Sequence, residues 1–187
     1  YGRNGESPAV VLAASTPTDC FDAAFWAGKL AVEHMTPVIL LTDSFIANGS
    51  SAWKIPELDT YPSITPNYVT NYKEEAPWKP YRRDKDSLVR YWAIPGMNEF
   101  MHRIGGLEKD YETSAISTDP ANHQKMVNVR QAKIDKIADY IPEQEVCGDK
   151  DAELLVIGWG GTYGHLYEAM EDMQAEGKKV AMAHFKF

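Results

Sequence analysis

Near the start of the 187-residue sequence, Tyr1-Gly-Arg-Asn-Gly-Glu6 places a guanidinium, an amide and a carboxylate between and beside two glycines. Glycines allow a backbone to approach a ligand closely, and Arg3 offers a planar fork of donors that matches a carboxylate. Asn4 and Glu6 belong to the same candidate substrate-binding loop, although a solvated turn accounts for the same six residues. A second glycine cluster, Gly158-Trp-Gly-Gly-Thr-Tyr-Gly164, lies between a strand-like run and a helix-like one. As a dinucleotide fingerprint it fits poorly: starting from Gly158, Tyr163 falls at the third glycine, and no acidic residue ends the run Val180 to Phe187. A tight strand-to-helix turn is reason enough for those glycines. His34, His102, His123, His165 and His184 show no paired ligand spacing on one helix face, so no metal site is expected. Ser15, Ser44 and Ser50 lack the glycine frame of a nucleophile elbow. Cys20 and Cys147 are too few for a disulfide framework, a zinc site or an iron–sulfur cluster, and point to a reduced, cytoplasmic compartment.

These residues need elements to hold them. Pro8 to Ala14 is a short apolar run with β-branched residues, followed by Thr16 as a cap, Pro17 at the first helical position and Asp19 completing a capping box. The helix is expected to reach about Met35, with Cys20, Ala24, Gly28, Ala31 and Met35 as its packing stripe. On the opposite face Trp26 lies among Asp22, Lys29 and Glu33, so another part of the chain or another subunit is expected to cover it. Pro37 to Thr42, without polar alternation, reads as a parallel strand buried on both faces. From Asp43 to about Thr118 periodicity fades while prolines and aromatic residues recur, as in an extended arm packed on its own domain or on a subunit. Asp119-Pro120 opens an amphipathic helix to about Ile141, with Met126, Val127, Ile134, Ile137, Ala138 and Ile141 inside and Lys125, Lys133, Asp135 and Asp139 outside. A polar linker, Glu143 to Asp151, leads to a strand at Leu154 to Gly158, a helix to about Glu176 and a last strand from Val180. The class is α/β. A formal charge of −8 excludes general attraction to nucleic acid or anionic lipid, and no apolar run approaches the roughly 18 residues of a membrane span.

Taken in order, Tyr1 to Glu6, Val10 to Ser15 with Asp19-Cys-Phe21, and Thr36 to Asp43 with Ile46-Ala-Asn48 closely resemble the alpha subunit of 2-oxoacid:ferredoxin oxidoreductases, in the form that uses 2-oxoglutarate. Ile104 to Glu108 with Asp110, then Asp119-Pro with Asn122-His123 and Lys125-Met126, resemble that family's GLEHDE region and following helix. Asn4 and Lys109 each stand where the family usually has His. The resemblance implies a partial thiamine-diphosphate pyrimidine-domain-like parallel sheet over residues 1–150, with arm and helix, and the start of a transketolase C-terminal-like domain over 151–187. It also implies oxidative decarboxylation of 2-oxoglutarate to succinyl-CoA with electrons passed to ferredoxin; pyruvate or branched-chain specificity, or a noncatalytic nucleotide-binding or assembly module, are the alternatives. Thiamine diphosphate, Mg2+, iron–sulfur clusters and coenzyme A then belong to the full complex with a beta subunit. The chain, opening at Tyr1, reads as an internal fragment expected to bind none of them alone. By the same resemblance Arg3 contacts the substrate carboxylate, with Asn4 and Glu6 shaping the loop.

Overall fold

The computed structural model describes residues 5–72 and 77–187. Strand β1 (Val10–Ala13) leads into helix α1 (Asp19–Glu33), which returns to β2 (Val38–Leu41), parallel to β1 with Val10 opposite Val38 and Ala13 opposite Leu41. At the turn into α1, Thr16 Oγ1 accepts the Asp19 N–H at 3.1 Å. The reciprocal bond of the expected capping box goes elsewhere: the Asp19 carboxylate takes the Ser15 N–H at 2.9 Å and the Ser15 hydroxyl at 2.7 Å.

The buried side of α1 differs from the small-residue stripe. Ala23 and Leu30 are buried, while Ala24 and Gly28 are exposed and a side chain at Gly28 would meet nothing. What the helix packs against decides the face: Ala23 joins Ala14 and Ile46, with Cys20 and Leu40 against them. Trp26 is half-buried, its ring edge-on to Phe187 with centroids 5.7 Å apart, so the chain itself supplies a cover. On β2, residues alternate half-buried and exposed, with Ile39 and Leu41 in the open, because only one face of this strand is covered among the described residues. The strand expected to be buried on both faces is therefore buried on one.

After β2 comes a short helix that the fading periodicity concealed, α2 (Ser44–Asn48), whose N-cap Asp43 accepts the Ile46 N–H at 2.8 Å. The long irregular stretch that follows packs on its own chain, through ring pairs such as Phe25 with Tyr61 at 4.7 Å and Trp78 with Phe100 at 5.1 Å. Helix α3 (Pro120–Asp135) begins where expected, Asp119 accepting the N–H groups of Ala121 and Asn122, and it tightens into a 3-10 turn over Lys136–Tyr140 before Pro142.

The supposed polar linker contains a strand, β3 (Val146–Gly148). Two more strands follow, β4 (Leu154–Trp159) and, after α4 (Tyr163–Ala175), β5 (Val180–Phe185). They form a sheet in the order β3-β5-β4, with β4 parallel to β5 and β3 antiparallel to it. Met170, Val180 and Met182 make its buried cluster, and Val156, Leu166 and Cys147 pack on them. Packing also explains the glycine turn. A side chain at Gly158 would strike Leu166 and His184, one at Gly161 would strike the Asp43 carboxylate, and Gly160 has φ +63°.

The chain divides into two compact units interleaved along the sequence. One holds both sheets, α2, α4 and most of α1, through Val10–Lys29, Val38–Pro62 and Ile141–Phe187. The other comprises the stretch up to Ala9, Leu30–Pro37 and Ser63–Tyr140, and so contains α3. Among the described residues no helix is long and apolar enough to cross a membrane.

Candidate functional site

In the second of these units a loop brings two arginines opposite each other. Residues 83 and 90 form an antiparallel bridge, and between them Asp84 folds its carboxylate onto the N–H groups of Asp86 and Ser87, at 3.1 and 2.8 Å, and onto the Ser87 hydroxyl at 2.7 Å. Burial works against that carboxylate's charge, but the Ser87 and Asp86 donors outweigh it and hold the group below the usual carboxylate range. With Asp84 committed to its own turn, neither arginine is neutralised by it. Among the described residues Arg83 gives one bond, from Nη1 to the Leu88 carbonyl at 3.0 Å, and its buried Nε finds no partner. Arg90 lies over the Tyr81 ring, 4.3 Å from the centroid, and turns Nη2 toward Met35 Sδ at 3.3 Å.

Met35 sits just beyond α1 with φ +45°, and its carbonyl accepts the Lys133 ammonium at 2.9 Å. Lys133 was expected on the outer side of α3; it is buried, 9% exposed. A long aliphatic stem that ends on a carbonyl lets a lysine occupy such a position, which hydropathy alone assigns to solvent. Burial, then the nearby charges of Arg83 and Arg90, push its ammonium down to about 8. Desolvation, with Arg90 next, lowers Arg83 to about 10. Arg90 is lowered by burial, with Tyr81 opposing the shift. Among the described residues no carboxylate pairs with any of these three cations.

The carboxylates nearby are held by a fourth cation. On α3, His123 and Arg130 stand two turns apart and both reach Glu108, His123 Nδ1 at 3.1 Å and Arg130 Nη1 at 3.2 Å. The other end of Arg130 binds Glu6 at 2.7 Å. Glu6 thus ties the candidate substrate loop to α3, while Arg3 and Asn4 lie outside the described residues. Lys109 is 2% exposed and its ammonium is caged by the carbonyls of Gly105, Gly106 and Leu107 at 2.7, 2.8 and 2.6 Å. Asn122 bonds the backbone on either side of Asp110, accepting from Tyr111 N–H and donating to the Lys109 carbonyl. Lys109 therefore fixes a loop. Arg83, Arg90, Lys133, Arg130, Glu6 and Glu108 all line one cavity of about 550 Å³. Arg83 and Arg90 escaped the reading from sequence because they stand in an irregular stretch, where only the Asp84 to Ser87 turn signature marks the loop that pairs them, and Lys133 lies on the side of its helix opposite to the one expected.

Comparison with known proteins gives this arrangement a context. The sequence profile described as pyruvate flavodoxin/ferredoxin oxidoreductase, thiamine diphosphate-binding, matches residues 3–121. The chain is 48% identical over 188 residues to 2-oxoglutarate oxidoreductase subunit KorA of Mycobacterium tuberculosis, in an alignment covering all of this chain and 28% of that protein. It is 27% identical over 195 residues to 2-oxoacid:ferredoxin oxidoreductase 1, subunit alpha, of Aeropyrum pernix, covering all of this chain and 29% of that one. In structure it matches 2-oxoglutarate:ferredoxin oxidoreductase from Magnetococcus marinus, solved with 2-oxoglutarate, coenzyme A and succinyl-CoA bound. The TM-score is 0.83 at 29% identity, over 98% of this chain and 31% of that chain. The chain thus spans less than a third of the length of each of these three proteins.

Thiamine diphosphate asks for a carboxylate free to meet its aminopyrimidine and for oxygen ligands that hold a divalent cation on its diphosphate. In this cavity Glu6 and Glu108 are both engaged by Arg130, and among the described residues no group of three or more His, Cys, Asp or Glu is placed to hold a metal. The described residues do not complete a site for that cofactor.

Proposed function

Because the chain belongs to the pyruvate flavodoxin/ferredoxin oxidoreductase family through its thiamine-diphosphate-binding domain, we propose that it is part of the alpha subunit of a 2-oxoacid:ferredoxin oxidoreductase that acts on 2-oxoglutarate. In the net reaction the bond between C1 and C2 of the oxoacid breaks, carbon dioxide leaves, and the acyl group joins the sulfur of coenzyme A, whose thiol proton is released to solvent. The two electrons released pass through iron–sulfur clusters to ferredoxin. The observation that carries the substrate is the 48% identity, along the whole chain, to a 2-oxoglutarate oxidoreductase subunit, against 27% to an enzyme named only for 2-oxoacids. A nucleotide-binding or assembly module draws no support from the glycine turn, whose glycines at 158 and 161 are required by neighbouring side chains.

Arg3 holds the substrate carboxylate in this reading, and Glu6, locked to Arg130, fixes one end of the loop that presents it. The beta subunit, Mg2+, the clusters and a cytoplasmic location are part of the same proposal. So is the division at 1–150 and 151–187, whose first part is supported by the family match over residues 3–121. The test is reduction of ferredoxin or a viologen dye by the full-length protein with its partner subunit, dependent on coenzyme A. Turnover with 2-oxoglutarate and much slower turnover with pyruvate is expected. Preference for pyruvate would overturn the substrate, and no turnover with any 2-oxoacid would overturn the activity.

A further inference from the structure

We propose that the cavity lined by Arg83, Arg90 and Lys133 is a binding site for a compact dianion, received through carboxylate or phosphate oxygens. Going beyond the oxidoreductase reading, it does not depend on that reading being right. Three positive groups converge on this cavity, and among the described residues their partners are carbonyls, a thioether and Tyr81, which meets Arg90 with its ring face and in a side-chain hydrogen bond. None of those carries the negative charge that buried cations ordinarily require. Arg83 keeps an unused buried donor at Nε. Lys133, nine-tenths buried, gives one hydrogen bond among the described residues where an ammonium has three to give. Arginine cannot shed its proton near neutrality, so the mutual repulsion falls on Lys133, whose ammonium is pushed down to about 8 and remains mostly charged at pH 7.

The surroundings keep that charge available. Asp84 is turned into its own loop, and Glu6 and Glu108 are both held by Arg130. An oxyanion entering the cavity would meet the free Arg83 Nε–H, the Arg90 fork and the spare Lys133 protons. A dianion matches this excess better than a monoanion, because each further negative charge relieves repulsion among three cations. Such oxygens come from two sources, the paired carboxylates of a short dicarboxylate or a phosphate, free or on a coenzyme.

The experiment is calorimetric titration of the full-length protein, in its native assembly and without turnover, with glutarate, inorganic phosphate and acetate. Wild type, Lys133→Met, Lys133→Arg and Arg90→Lys are compared. Glutarate or phosphate should bind wild type more tightly than acetate does. Lys133→Met should weaken the tighter dianion by about tenfold or more, while Lys133→Arg and Arg90→Lys keep much of the affinity. Lys133→Met removes a buried, poorly paired charge and should fold; its melting curve verifies this, and Arg90→Lys gives a second reading that keeps the charge. Tighter binding of glutarate assigns the site to a dicarboxylate, and tighter binding of phosphate assigns it to a phosphate. The site is overturned if neither dianion binds, or if both bind Lys133→Met as they bind wild type. An enzyme that turns over 2-oxoglutarate yet shows that indifference keeps its function and loses this site. A protein without turnover that binds a dianion through Lys133 loses the function and keeps the site.

Discussion

If Arg3 holds the substrate carboxylate as proposed, replacing it with Ala in the full-length protein should remove charge-assisted hydrogen bonds worth about 1.5–3 kcal/mol each. That is a loss of roughly 10- to 100-fold in apparent substrate affinity, read from the dependence of initial rate on 2-oxoacid concentration. Arg3→Lys should recover part of it, since an ammonium keeps the charge without the fork. Loss shared by pyruvate and 2-oxoglutarate identifies the carboxylate next to the keto group, and loss confined to 2-oxoglutarate identifies the distal one. Lys109 answers to stability: Lys109→Met leaves three carbonyls without their shared donor. Urea unfolding should show a loss of about 3 kcal/mol. Lys133 gives a pH signature. Its ammonium sits at about 8 in the folded chain against an ordinary 10.5, so between those values the unfolded chain holds more of this proton. The residue's contribution to stability therefore rises with pH across that window, and its full cost is present below pH 8. Unfolding of wild type against Lys133→Met should show the variant's relative advantage shrinking as pH is raised from 7.5 to 10, at about those two pH values.

Helix α3 is the element on which the candidate site depends, since it carries His123, Arg130 and Lys133 and starts on one cap. Asp119→Ala should cost about 1 kcal/mol, and Asp119→Asn little, by thermal or urea unfolding. That cap was legible in the sequence, as were the β-α-β start, the capped turn before α1 and the final β-α-β, because each rests on local signals within a few residues: a hydroxyl before a proline, an apolar run, a breaker. The elements that escaped are set from a distance. Strand β3 is three residues long and exists because Cys147 pairs with Met182, far along the chain. The face of α1 is chosen by Ala14 and Ile46. Lys133 lies inward because a carbonyl at Met35 and the space beside two arginines await it. The candidate site was half legible for the same reason. Its anionic side, with Glu6, lies in a recognisable motif, whereas its cationic side is assembled by loop closure.

At the scale of the whole molecule, a stretch covering less than a third of the Mycobacterium and Magnetococcus proteins it matches is expected to hold part of the catalytic apparatus. Residues 1–187 expressed alone should reduce no dye with 2-oxoglutarate and coenzyme A, whereas the full-length protein with its partner should; measurable turnover by the former would refute that division. Another feature at this scale lies where α4 begins. Gly161 has no room for a side chain because the Asp43 carboxylate occupies that space, and the same carboxylate caps α2 through the Ile46 N–H. Positions 43 and 161, more than a hundred residues apart, are therefore one choice written twice. As relatives diverge, a lineage that gains a side chain at 161 must first give up a bulky cap at 43, whereas a change at 43 alone loses only the start of a short helix. Their histories should be correlated and ordered in time, with replacements at 43 preceding those at 161 on the branches of a reconstructed phylogeny.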